Sequence, residues 1–350
     1  PSQQHSSDWM ARLRRAGATR GCGRLEPAVS CRRMPSYLPS YPEALPIAPK
    51  PPLEAELNVP GSKSLTNRAL VVAALAEGVS RLSGALVAED SEVMIRALRQ
   101  LGIPVVVDGT TFTVSGRGGR IPNTADLDLQ LSGTSIRFLT ALVALGQGRY
   151  RLDGNARMRQ RPIGDLLSAL EGWGVKAGTQ FETGCPPVIL EADGIGGGET
   201  SVSGERSSQY LSALLMVAPY AQSPATLRVT GELQSKPFID MTLALMEDFG
   251  VKVDRDSYAS FTVPLDRYAP RAYRIEGDAM AAGYFWGAAA VAGGRVKVAN
   301  VGSSSSQGDK RLAAVLGEMG CTVSWTAESC EVGGPRSGKL RGGRFDLNDM

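Results

Sequence analysis

Several short runs in this 350-residue chain place hydroxyls, and in two cases cations, where an apolar helix begins. The sharpest is Pro60-Gly61-Ser62-Lys63-Ser64-Leu65-Thr66-Asn67-Arg68, between an expected strand over Glu54–Val59 and a long apolar run. A helix cap by Ser62 or Ser64 accounts for the serines but not for the charges. Lys63 and Arg68 stand at the positive end of the helix dipole, which costs about 0.3–1 kcal/mol for each cation. A bound anion reverses the sign of that cost. Ser64 and Arg68 are four positions apart and share a helix face. Gly133-Thr134-Ser135-Ile136-Arg137 repeats the theme, with a glycine for close backbone approach, two hydroxyls and an arginine in the first turn.

Arg157-Met158-Arg159-Gln160-Arg161-Pro162 sets three arginines ahead of a proline-initiated helix. Such a run is often just a solvated face. Arg161, next to Pro162, is the best placed to reach a ligand, and arginine suits bidentate contact with carboxylate or phosphate. Ser207-Ser208-Gln209 and Gln234-Ser235-Lys236-Pro237 open two further helices. Their neutral donors suit phosphate or sugar-like hydroxyls, with simple capping as the competing role for each. Together these runs predict a site for a small polyanion. It is not a Walker loop, because GxxxxGK[ST] is absent, and no GxGxxG follows an expected strand.

Other chemistries are excluded by what the chain lacks. The single histidine is His5, so neither a Ser-His-Asp nor a Cys-His mechanism has its base in the body of the protein. Cys22, Cys31, Cys185, Cys321 and Cys330 form no CxxC pair, which argues against zinc and fits reduced thiols in a cytoplasm. The net charge of +3 is unevenly spread. Residues 1–50 hold eight basic and three acidic side chains, leaving 30 basic against 32 acidic in the rest. A nearly neutral body does not coat nucleic acid. No run of about 18 uncharged apolar residues is present, so no membrane span is expected.

The elements that must hold these residues recur. Gly102, Gly174, Gly250 and Gly320 each end a helical pattern and precede a β-like run, at spacings of 72, 76 and 70. Gly61, Gly133, Gly204 and Gly277 each open a helix, at spacings of 72, 71 and 73. The chain therefore reads as four α/β units of about 72 residues. The opening helices are apolar on nearly every face, which requires that they be buried, with sheets outside them. Residues 1–50, basic and proline-rich towards their end, read as a disordered tail.

The ordered set PGSKSLTNR, GTSIR, RQRPIGDL, SSQYLSALLMVAP, SKPFIDMTL and EGDAMAAGYF is similar to that of the EPSP synthase (5-enolpyruvylshikimate-3-phosphate synthase) family, from about Leu53 to Met350. The resemblance implies an inside-out α/β barrel of βαβαββ units in two domains. Domain I would comprise 51–61 and 277–350, and domain II 62–276, with two units of domain I expected to follow Met350. It implies carboxyvinyl transfer from phosphoenolpyruvate to shikimate-3-phosphate by a cytoplasmic monomer, without metal or other cofactor. By the same resemblance Ser64, Arg68, Ser207, Ser208 and Ser235 hold shikimate-3-phosphate. Gly133, Arg161 and Gln209 hold phosphoenolpyruvate, and Lys63 touches both and is catalytic. The family's acid/base aspartate and its Lys-Glu-Thr-Asp-Arg motif are expected beyond Met350, Asp349 not being assigned that role, so this stretch alone is expected to turn nothing over. Leu131-Ser132 stand where many members carry Asn-Ala, and Phe238 where tyrosine is common. The alternatives are a transferase acting on UDP-N-acetylglucosamine and a non-catalytic binding protein of the same repeat. The first uses a loop cysteine near the second-unit motif, and none lies between Cys31 and Cys185.

Overall fold

The structure, a computed structural model, describes residues 52–348 and 350; the tail over residues 1–50 and Asp349 lie outside the described residues. Four βαβαββ units follow one another. The first is β1 (Leu53–Leu57), α1 (Lys63–Leu75), β2 (Glu77–Ser83), α2 (Glu89–Gln100), β3 (Val105–Asp108) and β4 (Thr111–Arg117). The second is β5 (Asp126–Asp128), α3 (Gly133–Val143), β6 (Gln147–Asp153), α4 (Gly164–Gly172), β7 (Lys176–Thr179) and β8 (Val188–Asp193). The third is β9 (Gly198–Ser203), α5 (Ser208–Val217), β10 (Ala225–Thr230), α6 (Lys236–Asp248), β11 (Asp254–Asp256) and β12 (Ser260–Val263). The fourth is β13 (Ala272–Arg274), α7 (Ala279–Ala292), β14 (Gly294–Val298), α8 (Arg311–Glu318), β15 (Thr322–Trp325) and β16 (Cys330–Gly333).

Each unit supplies a four-stranded sheet in which the first strand lies parallel to the second and the last is antiparallel to both its neighbours. Units two and three build their sheets from their own strands, but units one and four exchange a strand. β1 pairs with β14, Leu53 to Gly294 through Leu57 to Val298, and β13 pairs with β2, Ala272 to Arg81 through Arg274 to Ser83. The chain therefore crosses twice between these two sheets. The crossing segments meet where Ser62 N–H donates to the Glu276 carbonyl (2.9 Å) and Asp278 N–H to the Pro60 carbonyl (2.8 Å). Asn300 clamps the first segment by accepting from Val59 N–H (3.0 Å) and donating to Val59 O (2.7 Å).

The glycines expected to stop helices do so. Gly102, Gly174, Gly250 and Gly320 follow the last helical residues at φ between 84° and 102°, where any side chain would strain the backbone. Helix α4 starts at Gly164 rather than at Pro162, after a short 3-10 turn over Met158–Gln160.

The opening helices are buried as their apolar faces demand, with one exception. Leu65–Leu75 of α1 are all buried, as are all of α3 except Thr134 and all of α5 except Gln209. These helices and the sheets around them share one hydrophobic core running from Leu65 to Ile275. Helix α7 departs from the expectation. Ala282, Trp286 and Ala290 pack into a smaller core with Val298, Val301 and Val332, but Met280, Tyr284 and Val291 are 60%, 78% and 80% exposed. The physical reason is that α1, α3 and α5 have one another for neighbours, whereas among the described residues no second opening helix covers α7.

Candidate functional site

Four helix starts line one cavity of about 200 Å³. Ser64 and Arg68 come from α1, Thr134 from α3, Ser207, Ser208 and Gln209 from the start of α5, and Ser235 from the start of α6. Six of the nine predicted residues thus meet there. Among the described residues no carboxylate lines the cavity.

The serines arrive in different states. Ser62 caps α1 by accepting from Leu65 N–H (3.4 Å), which leaves Ser64 free to face the cavity. Ser207 caps α5 through Gln209 N–H (3.3 Å), so for this residue capping and lining coexist. Ser235 sits at the N-cap of α6 in the left-handed region, φ 56°, and caps nothing with its side chain. A non-glycine residue there is strained by about 1–3 kcal/mol.

Arg68 is the centre of the arrangement. Its side chain is 2% exposed, so desolvation adds to the dipole and outweighs it as the source of misfit. Nε donates to Thr242 Oγ1 (2.7 Å), Nη1 to the Ser64 carbonyl (3.1 Å), and Nη2 to Ser212 Oγ (3.1 Å) and the Phe238 carbonyl (3.3 Å). The guanidinium also lies 5.3 Å from the centre of the Phe138 ring and 5.7 Å from that of Phe238. All these partners are neutral. A guanidinium has five N–H groups, so one on Nη1 is unspent. Burial pulls the pKa down to about 9, which leaves the group charged at neutral pH.

Arg137, to which the sequence reading gave no ligand, is a second buried cation. Its Nη1 donates to the Gly133 carbonyl (3.1 Å) and to Gln209 Oε1 (2.7 Å), and its guanidinium lies 5.4 Å from the Tyr210 ring centre. Its Nε is buried without a partner. Burial lowers its pKa, Tyr210 works against that, and the positive charge of Arg161 lowers it further. Arg161 lies against Gly133, where a Cβ would stand 2.2 Å from its Nη1. Gln209 reaches Thr134 Oγ1 (3.4 Å), and so ties this arginine pair to the cavity.

The three-arginine run divides its labour. Arg159 is taken by Asp153 through Nε (2.9 Å) and Nη2 (2.6 Å). Burial pushes the Asp153 carboxyl up, but hydrogen bonds from Arg159, Gly154 and Arg151 hold it below the usual range. Among the described residues Arg157 has no side-chain partner, and Arg161 lies against Gly133, neither of the two lining the cavity. Lys63 does not line the cavity. Its ammonium is half exposed and 3.6 Å from Asp90 Oδ2, while Asp90 Oδ1 accepts from Ser132 Oγ (2.5 Å). Asp90 and the cavity-lining Arg206 stand at the site without having been singled out by the motifs, and Arg137, present in the second motif, was given no ligand. A cation directly before Ser207-Ser208 was the available signal for Arg206.

A family model described as EPSP synthase (3-phosphoshikimate 1-carboxyvinyltransferase) matches residues 47–350. The chain belongs to the EPSP synthase family. A curated relative from Trichormus variabilis, named 3-phosphoshikimate 1-carboxyvinyltransferase, is 47% identical over 303 residues, covering 85% of this chain and 71% of its own. One of the same name from a Marinomonas species is 41% identical over 309 residues, 87% of this chain and 72% of its own. A solved EPSP synthase from Acinetobacter baumannii superposes with a TM-score of 0.71 at 23% identity, over 82% of this chain and 66% of that one. The last likeness concerns the fold, which is the repeated βαβαββ architecture of the family. Neither relative carries a nucleotide-sugar acceptor in its name.

Proposed function

We propose that this chain supplies the shikimate-3-phosphate pocket, and part of the phosphoenolpyruvate pocket, of a carboxyvinyl transferase of the EPSP synthase family. The observation that carries the reading is Arg68: a buried cation with only neutral partners and one unspent donor, opening on a cavity lined by four serines and no carboxylate. Removing a charge from water is expensive unless an opposite charge meets it, and the phosphoryl group of shikimate-3-phosphate is that charge. Arg161, Gly133 and Gln209, with Arg137 behind them, form the neighbouring cationic face for the carboxylate and phosphate of phosphoenolpyruvate. Lys63 would leave Asp90 to reach both ligands, where it offsets the negative charge that develops on the tetrahedral adduct.

The reading includes a division into two domains at residues 61 and 277, and a cytoplasmic monomer acting on free small molecules. Among the described residues no helix is long and apolar enough to cross a membrane. Calorimetry on residues 1–350 with shikimate-3-phosphate tests the site directly. Saturable binding at millimolar ligand or below is expected, and its absence removes the proposal.

A further inference from the structure

Two cations line the cavity, and they are held in opposite ways. Arg68 is buried and fully engaged except for one N–H. Arg206 is 61% exposed, and its Nε lies 3.6 Å from Asp165 Oδ2. That distance makes an ion pair but not a hydrogen bond. Asp165 Oδ2 is itself buried and accepts no hydrogen bond, although buried polar atoms are ordinarily partnered. The pair is therefore loosely made from both sides.

The backbone under Arg206 is fixed, in contrast to its side chain. Gly204 N–H donates to the Thr230 carbonyl (2.9 Å), and the Gly204 carbonyl accepts from Gln234 N–H (3.0 Å). A Cβ at Gly204 would stand 2.9 Å from the Leu233 Cα, so the turn is packed tightly against the segment that leads to Ser235. The Cα of Arg206 thus keeps its place beside Ser207 and Ser208 whatever its guanidinium does. The helix that follows, α5, has no acidic residue in its first turn to satisfy its positive end.

We infer that Arg206 is a second cation for the phosphoryl group in this cavity, parked on Asp165 until the anion arrives. The inference rests on the reading of the site given above. On binding, the guanidinium leaves Asp165 and presents its planar fork to two phosphoryl oxygens opposite Arg68. Asp165 gives up a pair too long to be a hydrogen bond and keeps the helix dipole, since it lies in the first turn of α4.

Calorimetric titration of the full chain and its Arg206→Gln and Asp165→Asn variants with shikimate-3-phosphate and with shikimate, at low and high salt, tests this. Arg206→Gln is expected to weaken shikimate-3-phosphate about tenfold. It should leave shikimate within about twofold and flatten the salt dependence of affinity. Asp165→Asn, which frees Arg206 from a loosely made pair, is expected to tighten shikimate-3-phosphate about two- to threefold. Equal affinity of Arg206→Gln and the unaltered chain for shikimate-3-phosphate overturns the inference alone. So does equal weakening by both variants towards both ligands, which would make the ion pair a brace for the turn. Failure of the unaltered chain to bind shikimate-3-phosphate overturns the reading of the site, and this inference with it.

Discussion

Helices α1, α3 and α5 on one side and α7 on the other occupy the same place in their units, yet they end up in different circumstances. The first three bury almost every residue and carry no acidic residue in their own first turns. Helix α7 buries one face only, and it closes its own start with a carboxylate. Asp278 accepts from Ala281 N–H (2.9 Å) and also from Lys63 N–H (3.1 Å). Helix α7 thus meets an anion of its own N-cap, whereas α1 and α3 borrow Asp278 and Asp90 from elsewhere and α5 has no acidic residue in its first turn. The difference teaches that the repeat supplies a scaffold, and that the proposed ligand cavity lies where, among the described residues, no carboxylate reaches.

The comparison can be broken most directly through packing. Leu214→Ala in α5 removes a fully buried side chain and is expected to cost about 2–5 kcal/mol. Val291→Ala on the outer face of α7 is expected to stay within about 0.5 kcal/mol. Urea unfolding of both variants checks the contrast, and comparable losses would mean that α7 is covered in solution.

The next test is on the charge. Arg68→Met is expected to weaken shikimate-3-phosphate at least ~100-fold, about 3 kcal/mol, in keeping with truncating one side of a buried charge pair. The melting temperature should not fall, because the variant removes a desolvated cation and leaves Thr242 and Ser212 already bonded to each other (3.0 Å). The pH dependence follows from the same residue. Burial lowers its pKa to about 9, so the free protein gives up this proton above that point while a bound anion retains it. Affinity should therefore be level from pH 7 to 8 and fall as pH rises beyond about 9, an effect isothermal titration resolves.

Gly133→Ala sharpens the division between the two ligands. The added Cβ would meet the Arg161 guanidinium at 2.2 Å and force it aside. Phosphoenolpyruvate binding to the shikimate-3-phosphate complex should weaken about tenfold, the worth of one charge-assisted contact, with shikimate-3-phosphate itself changed less than about twofold. The smallest expected effect is at Asp278. Its replacement by alanine costs about 1 kcal/mol as a lost helix cap, read as a lower denaturation midpoint with unchanged shikimate-3-phosphate affinity.

Much of this was legible in the sequence because it depends on local rules. A glycine that must adopt positive φ after a helix, an apolar helix that must be buried, and a hydroxyl placed at a helix start are each visible within one turn. Their recurrence every 72 residues or so gave the units, and the motif residues Ser64, Arg68, Ser207, Ser208, Gln209 and Ser235 meet in one cavity. What was not legible depends on distant partners. Lys63 is drawn to Asp90, from the start of the next helix. Arg68 is buried by Ser212, Phe238 and Thr242, which all belong to the third unit. The exchange of β1 and β13 between sheets leaves no periodic trace, since β13 is three residues long with two of them exposed.

That exchange bears on how the chain is made. The second and third sheets are complete once their own residues have left the ribosome. The first unit's sheet waits for β13, whose pairing partner lies some 190 positions upstream: Arg271 N–H already reaches Ser80 across 191 residues. At about 5–20 residues per second, that interval is roughly 10–40 s of translation. Throughout it the outer edge of β2, nascent and unpaired, is open to strands of other chains. The two middle units can therefore complete their sheets first, and the N-terminal unit is the part that waits longest for its partner strand.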